Sequence, residues 1–561
     1  MASEKRHAKG GSRERRVYLI GAGAALAAGA APEEMGFKAY NLARMAAIGM
    51  PVPAAFVLST AFCRDYYAAK GALPEGLREL LRGNLRELER LSGLSFGGER
   101  RPLLVSVRSG AAISMPGMLD TVLNVGLNDA SVPGLVRMTG NPRLAWDSYR
   151  RLIQSFAEVA HGVNAEPFEQ ALRGQIKAAG VDSARELDFM SLRNLATDSL
   201  EIYRELTGEG FPQSPLDQLT AAAQAVFRSW SGKKALEYRR LHHLCATSGT
   251  AVCVQTMVYG NSGGTSGSGV AFTRDPATGE NALYMDFLFN AQGDDVVSGR
   301  HQVGERAQIG ALLPEVMLQI ESARKCLETE FRDLQEFEFT VQNGELFMLQ
   351  TRTGKRTPLA ALRIAVDLVE EGMLDPAAAL DRLAGCKLDA IKTEAIRAKD
   401  GQAPLAHAVS AGVGVAVGEI ALDSQAASRR AASGKAVILV REDMSTEDVV
   451  GISSAVGILT ARGGRTAHAA VVARQMGKVC LVGCRELAVD LGKRSCSIGG
   501  KVLREGQVIS LDGSGGIYAG AVDIVRAKPE RYLAAVASWR AGQQAPAKRA
   551  ARALPLRRGE T

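Results

Sequence analysis

The stretch Phe337–Arg352 reads as two alternating strands joined at Asn343-Gly344, and few short sequences commit a backbone to one shape as firmly. The register follows from the side chains. A two-residue loop would set Phe339 opposite Met348 and mix polar with apolar groups on each face. A three-residue loop, Gln342–Gly344, pairs Phe339 with Phe347 and Phe337 with Leu349, so four large apolar side chains share a face. The three-residue loop is therefore predicted. It gathers Glu336, Glu338, Gln350 and Arg352 on the opposite face. Two carboxylates, an amide oxygen and a guanidinium on one open face suit Mg2+ bound to a nucleotide's phosphates. A plain solvated face is the alternative.

The rest of the chain is long enough, at 561 residues, for two to four domains. From Val17 to about Gly140, short β-like runs alternate with helical ones. From about Leu144 to Leu244 the apolar spacing is helical, as in SYRRLIQSFAEVAHGV. Strands and glycine loops return between Thr250 and Arg352. A helical connector, roughly Thr357–Lys399, leads to a compact α/β unit from about His407 to Val525, and a basic tail follows.

Charge and cysteine usage exclude some classes. The net +8 divides into six basic against two acidic residues over 1–16 and five against one over 541–561, leaving the body neutral. A nucleic-acid footprint should cross a folded face, so nucleic acid is not expected as a partner. The eight cysteines are scattered without a Cys-x-x-Cys pair. Cys480 and Cys484 have no second pair to complete a zinc site, and a reduced cytoplasmic protein is expected. Arg13–Arg16 followed by VYLIGAGAALAAGAAP mimics a secretory signal. The competing reading is a strand, Val17–Ile20, entering a glycine turn. No stretch approaches a membrane span in length.

Three segments offer phosphate contacts. The glycine- and serine-rich run Gly260–Gly269 would let backbone N–H groups approach phosphates. SVRSGAAISMPGM adds Arg108 just past a strand, and GFKAYNL adds Lys38 close to Gly36. In TARGGRTAHAAVVARQMGK, two glycines precede Thr466, read as an N-cap, and a helix ending at Gly477. His468 would sit in the first turn. There the helix dipole disfavours imidazolium and keeps the ring nucleophilic, and the free N–H groups would stabilise an attached phosphoryl group.

Together these segments resemble the pyruvate, phosphate dikinase family, with the phosphoenolpyruvate synthases more distant. The resemblance runs in order from about residue 17 to 525. It is carried by GFKAYNL, SVRSGAAISMPGMLDTVLN, DSYRRLIQ, TSGSGVAFTRDP, NAQGDDVVSG, LQTRTGKRT and GGRTAHAAVVARQMGK. It aligns VYLIGAG with the family's first strand and glycine turn.

The resemblance implies an α/β and α+β multidomain fold. An ATP-grasp nucleotide-binding domain over 17–356, with a helical insertion at about 144–244, would be followed by a helical linker at 357–404. A swivelling α/β phosphohistidine domain would occupy 405–525, between basic tails at 1–16 and 526–561. Carried over residue by residue, Lys38 and Arg108 would bind ATP phosphates, and Gln255, Met257 and Val258 would line the adenine site. Thr265 and the following glycines, Gly267 and Gly269, would hold the γ-phosphate region or inorganic phosphate together with Gly117. Glu338 and Gln350 would bind Mg2+, with Glu336 and Asp286 as further carboxylates at the metal. Arg352 would hold the terminal phosphates and His468 the transferred group. In the family, ATP places a pyrophosphoryl group on the histidine, and inorganic phosphate removes the outer phosphoryl as pyrophosphate. The histidine domain then swings to a third domain, where pyruvate is phosphorylated.

Departures from the family pattern are local, with one exception. Asp286 and Glu336 exchange carboxylate lengths, Ala39 and Gly264 replace a glycine and an acidic residue, and Arg465-Thr466-Ala467 stands for Met-Thr-Ser. The exception is the pyruvate and phosphoenolpyruvate barrel, which needs about 250 residues, whereas 36 follow Val525. The expectation is thus an ATP-dependent phosphotransferase carrying the ATP and phosphate half-reaction. Its acceptor would lie on a separate barrel protein or an unrelated carrier, or on a longer version of this chain. A non-catalytic ATP-binding scaffold is the alternative.

Overall fold

The computed structural model describes residues 16–21, 25–27, 29–113, 119–241, 249–297, 306–397, 403–444 and 448–552. It is a mixed α/β protein that divides into two compact units. The first comprises residues 1–263 with 347–350, and the second 264–346 with 351–561.

The first unit is built on five strands: β1 (Val17–Ile20), β2 (Ala55–Leu58), β3 (Val105–Gly110), β4 (Thr121–Val125) and β5 (Ala251–Thr256). They lie in the order β1-β2-β5-β3-β4, and the register runs through Leu58↔Val252 and Arg108↔Cys253. Val17–Ile20, which the resemblance aligned with the family's first strand rather than a signal, pairs with β2. The expected helical stretch is present, with α2 (Pro142–Phe156), α3 (Phe189–Thr207) and α4 (Pro215–Ser229) among its helices; α1 (Phe37–Ala47) precedes them. Their starts are written locally. The Asn141 side chain accepts the Leu144 N–H, Asp188 accepts that of Ser191, and Ser214 accepts that of Asp217. Val105, Val107, Leu144, Leu152, Phe156 and Phe227 fall in one continuous buried core.

The second unit opens with a four-stranded antiparallel sheet of β6 (Gly267–Phe272), β7 (Tyr284–Phe289), β8 (Gln335–Gln342) and β9 (Glu345–Thr353), in the order β9-β8-β6-β7. The hairpin is present, but its turn is not the predicted one. β8 continues through Gln342 and β9 begins at Glu345, leaving a two-residue turn. Asn343 at φ +52° and Gly344 at φ +85° are both left-handed, as a two-residue hairpin turn of matching twist requires. With a two-residue turn, simple alternation sets Phe339 opposite Met348 and Phe337 opposite Gln350, so Gln350 falls away from the face of Glu336 and Glu338. Gln350 and Thr351 are both buried, and the Arg352 side chain reaches the carboxylate of Glu336.

The helices α5 (Pro358–Glu370) and α6 (Pro376–Arg382) follow, capped by Thr357 and Asp375. An eight-stranded sheet then runs from Ala406 to Ala519. Its centre is parallel: β10 (Val415–Ala421), β11 (Val437–Arg441), β12 (Gly457–Thr460) and β13 (Val479–Val482). Central parallel strands are covered on both faces and read as continuous apolar runs. Accordingly, Ile420, Ile438, Leu459 and Leu481 enter one core cluster, and Ala421, Leu439, Ile458 and Cys480 another. The crossover from β12 to β13 is α7 (His468–Gln475). Where a basic tail was expected, Ile524–Ala527 pairs with Thr393–Ile396. α8 (Glu530–Arg552) then begins, and its Val536 joins Leu362, Val366 and Leu383 of α5 and its surroundings in a small core. Among the described residues no helix is long and apolar enough to cross a membrane, and the seven described cysteines are free thiols.

Candidate functional site

In the first unit the expected phosphate-binding cations are brought together by a glycine contact. Gly36 has φ +75°, and a Cβ there would fall 2.4 Å from the Gly110 carbonyl. Only glycine allows that approach. It lets Phe37 donate its N–H to the Ala111 carbonyl at 2.7 Å, which seats the start of α1, with Lys38 in its first turn, against the end of β3. Arg108 lies two residues before Gly110 on the same strand.

Arg108 Nη1 donates to Gln255 Oε1 at 3.4 Å. Gln255 is buried, and its Nε2 finds no hydrogen-bond partner among the described residues. Cys253, opposite Arg108, reports the field: burial pushes its thiol up to about 11, against the pull of the Arg108 and Lys38 charges. Two cations acting on one buried point make a region of positive potential suited to phosphate oxygens. Met257 and Val258 continue beyond β5, half-buried, with the Met257 N–H on the Leu104 carbonyl. Gln350 groups with this unit and is buried. Gly117 lies outside the described residues.

In the second unit, register sorts the remaining residues. β6 sets Val270 opposite both Glu338 and Asp286, and Phe272 opposite both Glu336 and Tyr284. Glu336, Glu338, Tyr284 and Asp286 therefore share one face. Arg352 joins them through its ion pair with Glu336. Burial works against the guanidinium charge, but the carboxylates of Glu336 and then Glu338 more than offset it and raise its pKa. Among the described residues no group of three His, Cys, Asp or Glu side chains is arranged to hold a metal. Glu338 is half-buried on this face, and a carboxylate of that kind is a hard-oxygen donor of the type Mg2+ takes.

Gly267 and Gly269, expected in a phosphate-cradling loop, are residues of β6 paired on both sides. A Cβ on Gly267 would lie 2.2 Å from the Phe287 ring, and one on Gly269 2.3 Å from the Phe339 ring. Their small size makes room for the stacked aromatic face. The turn before them remains open: Thr265 is exposed, and its carbonyl accepts the Gly344 N–H at 3.0 Å.

Asp286, expected among the metal ligands, is instead engaged by the loop before the histidine helix. Its Oδ2 accepts the Thr466 N–H at 2.5 Å and the Thr466 hydroxyl at 2.8 Å. Burial raises the Asp286 carboxyl above the usual range, against the Thr466 donors and then the charges of Arg465 and Arg474. Thr466 is consequently not the N-cap of α7. That position is Ala467, with no side-chain cap. His468 is the first residue of α7, at the carboxyl end of parallel strand β12, where sheets of this kind expose helix N-termini to ligands. Nothing in the local sequence distinguished Asp286 as a partner of Thr466, because the two are 180 residues apart.

Comparison with known proteins agrees with this layout. Residues 68–306 match the family model "Pyruvate phosphate dikinase, AMP/ATP-binding domain", and residues 434–516 match "PEP-utilising enzyme, mobile domain". The pyruvate, phosphate dikinase of Rhizobium meliloti (strain 1021) is 42% identical over 536 residues, 93% of this chain and 60% of that protein. Those of Clostridium symbiosum and Entamoeba histolytica are each 43% identical, over 90% of this chain and 58% of their own lengths. The chain thus spans about three fifths of the relatives it matches. Over that shared length, nucleotide-binding part and mobile part together, the chain belongs to the pyruvate, phosphate dikinase family.

Proposed function

We propose that this chain is an ATP-dependent phosphotransferase that phosphorylates its own His468 and hands the phosphoryl group on to an acceptor. The observation that carries the reading is the position of His468 at the N-terminus of α7, with the preceding Thr466 held on the same sheet face that presents Glu336, Glu338 and Arg352.

In this reading Lys38 and Arg108 bind ATP phosphates, and Gln255, Met257 and Val258 line the adenine. Thr265 and its loop, with Gly117, receive the γ-phosphate end. Arg352 neutralises the terminal phosphates, and Glu338 with Gln350 takes Mg2+, which when bound screens the charge of the transferred group. His468 attacks the β-phosphorus, displacing AMP and carrying away both outer phosphoryl groups. Inorganic phosphate then takes the γ-phosphoryl group as pyrophosphate, leaving phosphohistidine. An ATP-grasp fold for the nucleotide part and a swivelling movement of the mobile part belong to the same reading. So do the helical linker at 357–404 and a cytoplasmic setting that supplies ATP. Pyruvate, or another acceptor held on a separate barrel, would complete the reaction.

The test is chromatography of the products. Wild-type chain with ATP, Mg2+ and inorganic phosphate should form AMP and pyrophosphate up to one equivalent of chain when no acceptor is present. Formation of ADP and inorganic phosphate instead would sink this reading.

A further inference from the structure

Arg474 poses a question that the phosphoryl-transfer reading leaves open. It is 1% exposed, and none of its three guanidinium nitrogens makes a hydrogen bond among the described residues. Burying a charge without hydrogen bonds is costly, so something else must hold it. The guanidinium carbon lies 5.2 Å from the centre of the Phe272 ring. Arg465 repeats the arrangement at 5.0 Å from the ring of Tyr284. The two rings stand opposite each other on paired strands and meet edge to face. Two residues along from Tyr284, Asp286 holds Thr466 by its N–H and hydroxyl.

We infer that Arg465 and Arg474 are positioning residues: by stacking on Tyr284 and Phe272 they seat the histidine-bearing segment on strands β6 and β7. This rests on the reading of His468 as phosphoryl carrier. Every named contact is between side chains or between a side chain and one amide, so the seat can open without breaking a backbone ladder. A cation over a ring also tolerates small shifts that a bidentate ion pair does not. Opening returns the Arg474 guanidinium to water, which offsets part of the lost stacking. The seat is therefore a reversible one, suited to a segment that must leave after it is charged.

Amide hydrogen exchange in the intact chain reads the seat directly through the Thr466 N–H, and single-turnover labelling reads its effect on His468. Arg465 is half-buried and can be changed without opening the core. Arg465→Met and Tyr284→Leu should each speed Thr466 exchange and slow labelling by about five-fold, with the half-saturating ATP concentration unchanged. The double variant should add nothing further, and Arg465→Lys should restore most of both. Unchanged Thr466 exchange in both single variants, or additive effects in the double, would overturn the seat. A wild-type chain that gives these exchange changes but takes no label keeps the seat and removes the phosphoryl-transfer reading.

Discussion

Thr466 donates both its backbone N–H and its hydroxyl to one oxygen of Asp286, at 2.5 and 2.8 Å. The hydroxyl that could have capped α7 is spent on a strand far away in sequence. His468 therefore starts its helix behind an alanine without a side-chain cap, and the first N–H groups of a helix have no intrahelical partner. What a local reading took for a helix cap is a long-range anchor.

Gly269 gives the first prediction. Its missing Cβ is the space of the Phe339 ring, 2.3 Å from where the atom would stand. Gly269→Ala should destabilise the chain by about 1–3 kcal/mol through overpacking. Gly264→Ala, where nothing lies within 4 Å, should stay within about 0.5 kcal/mol. Urea unfolding midpoints of the two variants compare them. Equal midpoints would remove the packing role of Gly269.

Glu338 gives the second. It shares its face with Glu336 but is not the carboxylate that pairs with Arg352. Glu338→Gln removes the charge and keeps the shape. Autophosphorylation should fall by about 100-fold, with the unfolding temperature unchanged in the absence of nucleotide. Titration with Mg2+ checks the assignment: the variant should need more metal, and an unchanged metal dependence would count against it.

Asp147 gives a third, on stability. It is buried in α2, with Arg150 Nη2 and Arg151 Nε each at 2.9 Å. Burial alone would raise its pKa, but Arg151 and then Arg150 bring it down to about 2 from an ordinary 3.8. A depressed carboxyl stabilises the fold fully above its unfolded value and loses that contribution as pH falls through the folded one. Between pH 4 and 2 the wild type should therefore lose about 2 kcal/mol that Asp147→Asn does not have to lose. Denaturant unfolding at several pH values measures the two slopes. Parallel slopes would contradict the assignment.

These residues also mark how far the sequence can be read. Helix starts at Asn141-Pro142, Ser214-Pro215 and Thr357-Pro358 are local capping signals, and the helices begin there. The hairpin at Asn343-Gly344 was legible for the same reason. Its turn length was not, because sorting by polarity favoured a three-residue loop while Asn343 and Gly344 both take the left-handed backbone of a two-residue turn. Gly267 and Gly269 looked like loop glycines because the rings that need their space come from Phe287 and Phe339, on neighbouring strands. Tertiary partners decided Thr466, Gly267 and Gly269 alike.

The central claim is that His468 carries a phosphoryl group taken from ATP. Incubation with ATP labelled on the β-phosphate, Mg2+ and inorganic phosphate, followed by acid and base quenching, tests it most directly. The account predicts acid-labile, base-stable label approaching one group per chain, absent from a folded His468→Asn variant. Label that survives in that variant, or a folded wild-type chain that takes none with and without inorganic phosphate, would contradict it.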